Sequence, residues 1–306
     1  MESPIATQSI RTQTAAPDAV ATQAIDLRRQ QALLNIGCGE HFHPAWANID
    51  LAPQHPSITA HDVKTRLPFG DHSFDAVYHS HVLEHLSPES GQFCIQECYR
   101  VLKPGGVLRI VVPDLERIAE LYIETHIRAW KGDPGARYDY HWMKLELLDQ
   151  LVRRRSGGLM GPYMANPAIK NPEFVRSRVG NEFLSCAASQ TSGSVREKPS
   201  LLSRLSTATY KLRRKLAKRC VRILLGREAK SALDEGLFRM QGEVHRWMYD
   251  RFSLRETCEK VGFKKFRVVS AKQSQIQGFT DYELDVVGGA VRKPDSLFVE
   301  CRKSDE

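Results

Sequence analysis

The sequence predicts an α/β protein: a doubly wound sheet of about seven strands, with an antiparallel terminal hairpin and a helical insert. Three observations predict it. From residue 32 onward, short apolar runs alternate with stretches of helical periodicity, the pattern that builds parallel sheets. Between about residues 131 and 240 that alternation stops. Near residue 243 it resumes, and it finishes on two strand-like runs separated by turn residues.

Taken in order, residues 1–28 are rich in Ala, Thr, Gln and Ser and poor in large apolar residues, so they read as a disordered tail. The tail has no basic start followed by an apolar block, so it does not read as a secretory signal. Residues 29–306 are expected to form one domain. ALLNIG (32–37) is a buried strand ending in Gly-Cys-Gly, ANIDL (47–51) a second, SITAHD (57–62) a third and SFDAVYHS (73–80) a fourth. Phe93, Ile95, Cys98, Val101 and Leu102 give residues 88–102 an amphipathic helical stripe. KPGG (103–106) ends that helix, because proline cannot continue it and glycine permits the turn. VLRIVVP (107–113) is a fifth strand, followed by a helix with Asp114 as its N-cap. Within the insert, GGLMGPYMANPAIKNPE (157–173) reads as a loop and residues 200–225 as a basic amphipathic helix. LRETCEKVGF (254–263) is a helix closed by Gly262. KFRVVSAKQ (265–273) and DSLFVECRK (295–303) are the antiparallel pair.

Charge is unevenly distributed. The chain carries +8, but residues 196–230 hold twelve Lys or Arg against two Glu, leaving the remainder slightly acidic. A general polyanion-binding surface is therefore not expected, and nucleic acid is a disfavoured partner. The seven cysteines are scattered and none forms a Cys-x-x-Cys pair, which argues against a disulfide framework and a structural zinc site. A reducing, cytoplasmic location follows as the expectation.

Glycines at 37 and 39 follow the first strand, where they let a ligand approach the backbone. Phe42 stands where a dinucleotide fingerprint needs its third glycine, which disfavours a pyrophosphate cofactor. Asp50 ends the second strand, where an acid in a doubly wound sheet binds both ribose hydroxyls. Asp62 ends the third, where its carboxylate or the amide of Val63 could read an adenine ring.

Together these stretches resemble the class I S-adenosylmethionine-dependent methyltransferases of the broad type 11 group, over roughly residues 30–125 and 243–303. LLNIGCGE looks like the family's first motif, NIDL its ribose-binding acid, and HDVKTRLPFGDHSFDAVYHSHVLEHL its adenine loop and fourth strand. RVLKPGGVLRIVVPD is similar to its fifth-strand signature, and HRWMYDRFSLRETCEKVGF to its closing helix. Two departures stand out: Asn35 replaces a common acid, and the shortened loop GCGEHFHPAW implies a reduced first crossover helix. The subgroup most resembled is bacterial and linked to cell-surface polysaccharide synthesis.

The resemblance implies a Rossmann-like fold, S-adenosylmethionine as cofactor and S-adenosylhomocysteine as product. It implies cofactor contacts at Gly37, Cys38, Gly39, Asp50, Asp62, Val63, His79 and Ser80. A sugar hydroxyl acceptor would need a base or a metal, and His245 and His85 are the candidate bases. His81, Glu84 and His85, at i, i+3 and i+4, would share one helix face and are the candidate metal ligands. Ubiquinone-pathway O-methyltransferases carry a similar Glu-x-x-Glu-His. A wall of the pocket is the reading preferred to a divalent metal. The implied acceptor is a small molecule, glycan or glycolipid precursor, and the basic helix would make peripheral contact with the inner membrane face. The rival readings are an RNA methyltransferase, and a non-catalytic fold serving as a membrane or partner adaptor.

Overall fold

The computed structural model describes residues 31–180, Phe183 and residues 201–305. The expected disordered tail, residues 1–28, lies outside the described residues. Seven strands form one sheet in the order β3-β2-β1-β4-β5-β9-β6. The first four are β1 (Leu33–Ile36), β2 (Ala47–Asp50), β3 (Ile58–Ala60) and β4 (Phe74–Ser80). They pair in parallel with one another and with β5 (Leu102–Pro113). β9 (Ser296–Arg302) runs antiparallel between β5 and β6 (Lys264–Val269). The direction of strand succession reverses between β1 and β4, so the carboxyl ends of β1, β2 and β4 open on a crevice.

Both sheet faces are covered, which is why β1 is apolar almost throughout rather than alternating. One face packs on α1 (Pro88–Val101) and α7 (Arg251–Val261), burying Ile36, Val77, Leu108, Ile95, Cys98 and Leu254. The other receives Trp46, Tyr78, Val111, Ile276 and Phe279, beside the two-stranded ladder of β7 (Val286–Val287) and β8 (Ala290–Val291). Each fully buried Leu, Ile or Val contributes about 1.5–3 kcal/mol. Helix ends follow local chemistry. Ser87 caps α1 ahead of Pro88, and Asp114 accepts from the Arg117 amide at the start of α2 (Leu115–Trp130). Asp250 and Ser253 form a reciprocal capping box on α7, and Gly262 ends it in the left-handed conformation.

Several expectations need correction. The helix ends just ahead of KPGG, as expected, but the fifth strand begins earlier than residue 107. α1 stops at Val101, β5 starts at Leu102, and residues 103–106 are looped out where the register on β4 jumps from Leu102 to Val107. The 157–173 loop contains α4 (Met160–Ala165), because Met160 and Met164, one turn apart, bury in a helical cluster. That cluster joins α2 to α3 (Pro134–Val152) and α5 (Pro172–Val179) around Trp142 and Met143. Nor does His81 share a helix face with Glu84 and His85. His81 has φ +56°, and Leu83–His85 make a single 3₁₀ turn. The chain from Gly37 to Trp46 holds turns and no helix.

The helical stretch α6 (Leu201–Arg239) runs past residue 225 and breaks at Gly226, whose φ of +84° suits glycine. Its two arms fold back on each other: Lys218 pairs with Asp234 at 2.5 Å, and Ala217 shares a small cavity with Leu233 and Leu237. Among the described residues, no helix is long and apolar enough to cross a membrane.

Candidate functional site

A cleft of about 330 Å³ lies over the carboxyl ends of β1 and β2 and the exit of β4. Gly37, Asp50, Asp62, Val63, His81 and His85 all line it. Gly37 has φ +63°, and a Cβ there would collide with Val82 Cγ2, so the turn out of β1 excludes a side chain twice over. Gly39, at φ +53°, has open space beside it, and its amide donates to Asp50 Oδ2 at 2.9 Å. Asp50 Oδ1 accepts from the Ala52 amide at 2.8 Å. These two bonds fix the carboxylate at the cleft edge while each oxygen keeps a lone pair for a ligand. Asp62 holds its own turn, accepting from the Lys64 amide at 3.0 Å.

Three of the expected cofactor contacts lie elsewhere. Cys38 is buried, and burial, with Asp50 adding to it, pushes its thiol up to about 11, so it is neither at the cleft wall nor reactive. His79 is sealed inside the sheet with neither ring nitrogen hydrogen-bonded. Burial lowers its pKa to about 4, against a weaker upward pull from Glu84, and the imidazole is neutral. Ser80 Oγ accepts from Arg292 Nη2 at 3.1 Å and does not border the cleft. β4 packs on both of its faces, which holds His79 and Ser80 off the cleft, and the chain turns to it one residue later, at His81.

Behind the cleft wall sits Glu84, fully buried. Its Oε1 lies 2.9 Å from His81 Nδ1 and 4.0 Å from His85 Nε2. His81 Nε2 is 2.9 Å from Ser296 Oγ, which pins the ring from its far side. Burial opposes ionisation of Glu84, but the histidine neighbours His81, His85 and His245 outweigh it and hold the carboxyl down at about 2. The Glu84 carbonyl accepts the Arg246 amide at 2.6 Å, which draws the end of the insert against this wall. His245 then meets His85 edge to face, ring centroids 4.9 Å apart. Burial, moderated by Glu84, drops His245 to about 3, so it too is neutral.

The candidate bases are thus brought together but are not equivalent. His85 lines the cleft, whereas His245 lies behind it and opens on a neighbouring cavity with Leu151, Arg239 and Val244. Ligand atoms of Glu84, His85 and His245 lie within 4.8 Å of one another, a set that could hold a divalent metal. Glu84 Oε2 and His245 Nδ1 carry no hydrogen bond. His81, expected in that set, is held by Ser296 and Glu84 instead.

Sequence reasoning missed the far wall of the cleft. Arg239, Met240, Gln241, Gly242 and Arg246 come from the insert and its exit, and Lys64 and His61 from the loop after β3. Nothing local in the sequence marks the insert residues, because tertiary contacts bring them to the cleft, the Glu84 carbonyl and the Gln150 carbonyl among them.

A family model described as a methyltransferase domain matches residues 34–110. The match spans about a quarter of the chain, and the strand order is that of a Rossmann-like α/β fold, here with β9 antiparallel to its neighbours. No curated protein matches the chain. Among solved structures it is similar to a SAM-dependent methyltransferase from Thermotoga maritima. That match has 11% identity over 90% of this chain and 83% of the other, with a TM-score of 0.37. A SAM-dependent methyltransferase from Archaeoglobus fulgidus is 12% identical over 89% and 86%, with a TM-score of 0.35. The 1,6-didemethyltoxoflavin-N1-methyltransferase of Burkholderia thailandensis, solved with S-adenosylhomocysteine, is 20% identical over 28% and 45%, with a TM-score of 0.24.

Proposed function

We propose that this protein is an S-adenosylmethionine-dependent methyltransferase that O-methylates a sugar hydroxyl of a glycan or glycolipid precursor. The observation that carries the reading is the fixed Asp50 carboxylate beside two glycines at positive φ, in a cleft over the strand ends. Asp50 would bind the ribose hydroxyls, the open backbone at Gly37 and Gly39 would admit the amino-acid part, and Asp62 and Val63 would border the adenine. When bound, the cofactor supplies an electrophilic methyl group.

The remaining chemistry belongs to the chain. A hydroxyl acceptor must lose a proton; of the cleft histidines His81 is held on both ring nitrogens by Glu84 and Ser296, and His85 is the one assigned to receive it. The Glu84 carboxylate, 4.0 Å away, stabilises the imidazolium that forms. His245, neutral and packed on the ring, orients His85 rather than acting as the base. Lys64, Arg239 and Arg246 add positive charge to the cleft and favour an acidic or phosphate-bearing acceptor. A divalent ion on Glu84, His85 and His245 is a second reading, favoured by their spacing; methyl transfer that survives chelation removes it.

The direct test is transfer of labelled methyl from S-adenosylmethionine into fractionated lysate. Label in glycan or lipid fractions supports the reading; label in RNA overturns it. Asp50→Ala should weaken S-adenosylmethionine binding by roughly 10–100-fold, the scale of lost hydrogen bonds to a charged group. Calorimetric titration measures this, and an unchanged affinity rejects the ribose assignment. His85→Ala should abolish transfer while leaving that affinity intact.

A further inference from the structure

The first arm of α6 exposes a face that nothing in the described fold covers. Leu212, Leu216, Ile223 and Leu224 are 53–78% exposed, beside Leu225 at 70%. At 3.6 residues per turn the first four fall within about a third of the helix circumference. The adjoining side is occupied, because Lys218 and Ala217 meet the second arm at Asp234 and Leu233. The apolar stripe is left exposed beside that contact, the reverse of a helix packed on a core. Lys215, Arg219 and Arg222 follow along its flank.

We infer that this arm docks on an anionic lipid bilayer, lying in the interface with its leucine face among the acyl chains and its cations among the headgroups. Residues 201–227 hold nine Lys or Arg and no Asp or Glu, so the occupant must supply negative charge. A second copy of the chain would set this cationic arm against itself. A nucleic acid would satisfy the cations but leave the leucines in water, and the segment's one aromatic residue, Tyr210, gives bases little to stack on. An acidic bilayer satisfies both halves of the face at once. Arg239 ends α6, and Arg239 to Gly242 line the cleft, so docking sets the cleft mouth near the membrane surface. That last link rests on the proposed function; the docking itself does not.

Sedimentation of the full chain with vesicles tests the inference. The protein should pellet with vesicles of phosphatidylcholine mixed with phosphatidylglycerol. It should stay in solution with phosphatidylcholine alone, and salt should weaken the binding. Replacing Lys215, Arg219 and Arg222 together with Gln should reduce binding roughly 100-fold, at about fivefold per charge. Leu216→Glu with Ile223→Glu should reduce it at least as far, and the thermal melt of both variants should match the parent because the altered side chains are exposed. Equal binding to neutral vesicles, or no loss in either variant, overturns the inference. So does a dimer in analytical ultracentrifugation that Leu216→Glu dissociates, since a second copy would then own the face. Vesicle binding without methyl transfer would retain the docking and reject the proposed reaction.

Discussion

His79 and His245 are buried neutral imidazoles, and their cost appears in acid. Their folded pKa values, about 4 and about 3, lie below the ordinary 6.5 of the unfolded chain. Between those values the unfolded chain binds protons that the folded one refuses, so stability falls as pH drops below about 6.5. Glu84, held at about 2 against an ordinary 4.5, contributes stability above 4.5 that is lost as pH falls towards 2. The histidine loss therefore comes first. Urea unfolding at pH 7 and pH 5 should differ by on the order of 2 kcal/mol per histidine. His79→Asn should remove about half of that difference, and an unchanged pH profile would refute the assignment. A second prediction concerns Gly37. Its positive φ and the Val82 contact make Gly37→Ala costly, by about 1–3 kcal/mol of unfolding free energy. That Gly37 and Asp50 line the cleft was legible because their offsets from strand ends are local. The burial of His79 was not, because it depends on packing across both sheet faces, and that of Cys38 was not, because it turns inward in the loop after β1.

At the scale of elements, caps and stops are written close to where they act. Asp114 at the start of α2 and Gly262 at the end of α7 were readable from their neighbours alone. The Asp250 box should be worth about 1 kcal/mol, so Asp250→Ala should lower the denaturant midpoint without altering cofactor binding. The residue-81 region defeated the same reasoning. A helical spacing of His81, Glu84 and His85 is visible in sequence, but the sheet makes His81 pair with Val111 and turn at positive φ before a helix can form. The three side chains still meet, through a 3₁₀ turn and a buried carboxylate rather than a helix face. The loop expected at 157–173 failed for a related reason. Tertiary burial of Met160 and Met164 stabilises a helix that local Pro and Gly content argues against.

Across the whole molecule, Arg109 is the tie. Fully buried on β5, it donates to Asp285 at 2.8 Å, to Glu300 on β9 at 2.8 Å, and to carbonyls of Ser270, Ala271 and Gln273. Tyr78 on β4 donates to Asp285 at 2.6 Å, so one network joins three strands and the 270–291 segment. Removing a partner leaves a buried charge uncompensated, which costs about 3–5 kcal/mol. Glu300→Ala should therefore destabilise the chain by that order in denaturant titration, and a loss under 1 kcal/mol would show that the network is dispensable. Such contacts are illegible in sequence because their partners lie 161 to 207 positions apart. The alternation that announces the sheet is local; the pairing that completes it is not.

The position of β9 has a consequence in time. Of the seven sheet strands it is the last in sequence, yet it fills the place between β5 and β6. Until residues 296–302 arrive, the apolar run of β5 is an open edge able to pair with any strand it meets. Closing a loop of that length is slow compared with local folding. The β5 edge is therefore the surface of this sheet most open to aggregation until β9 takes its place.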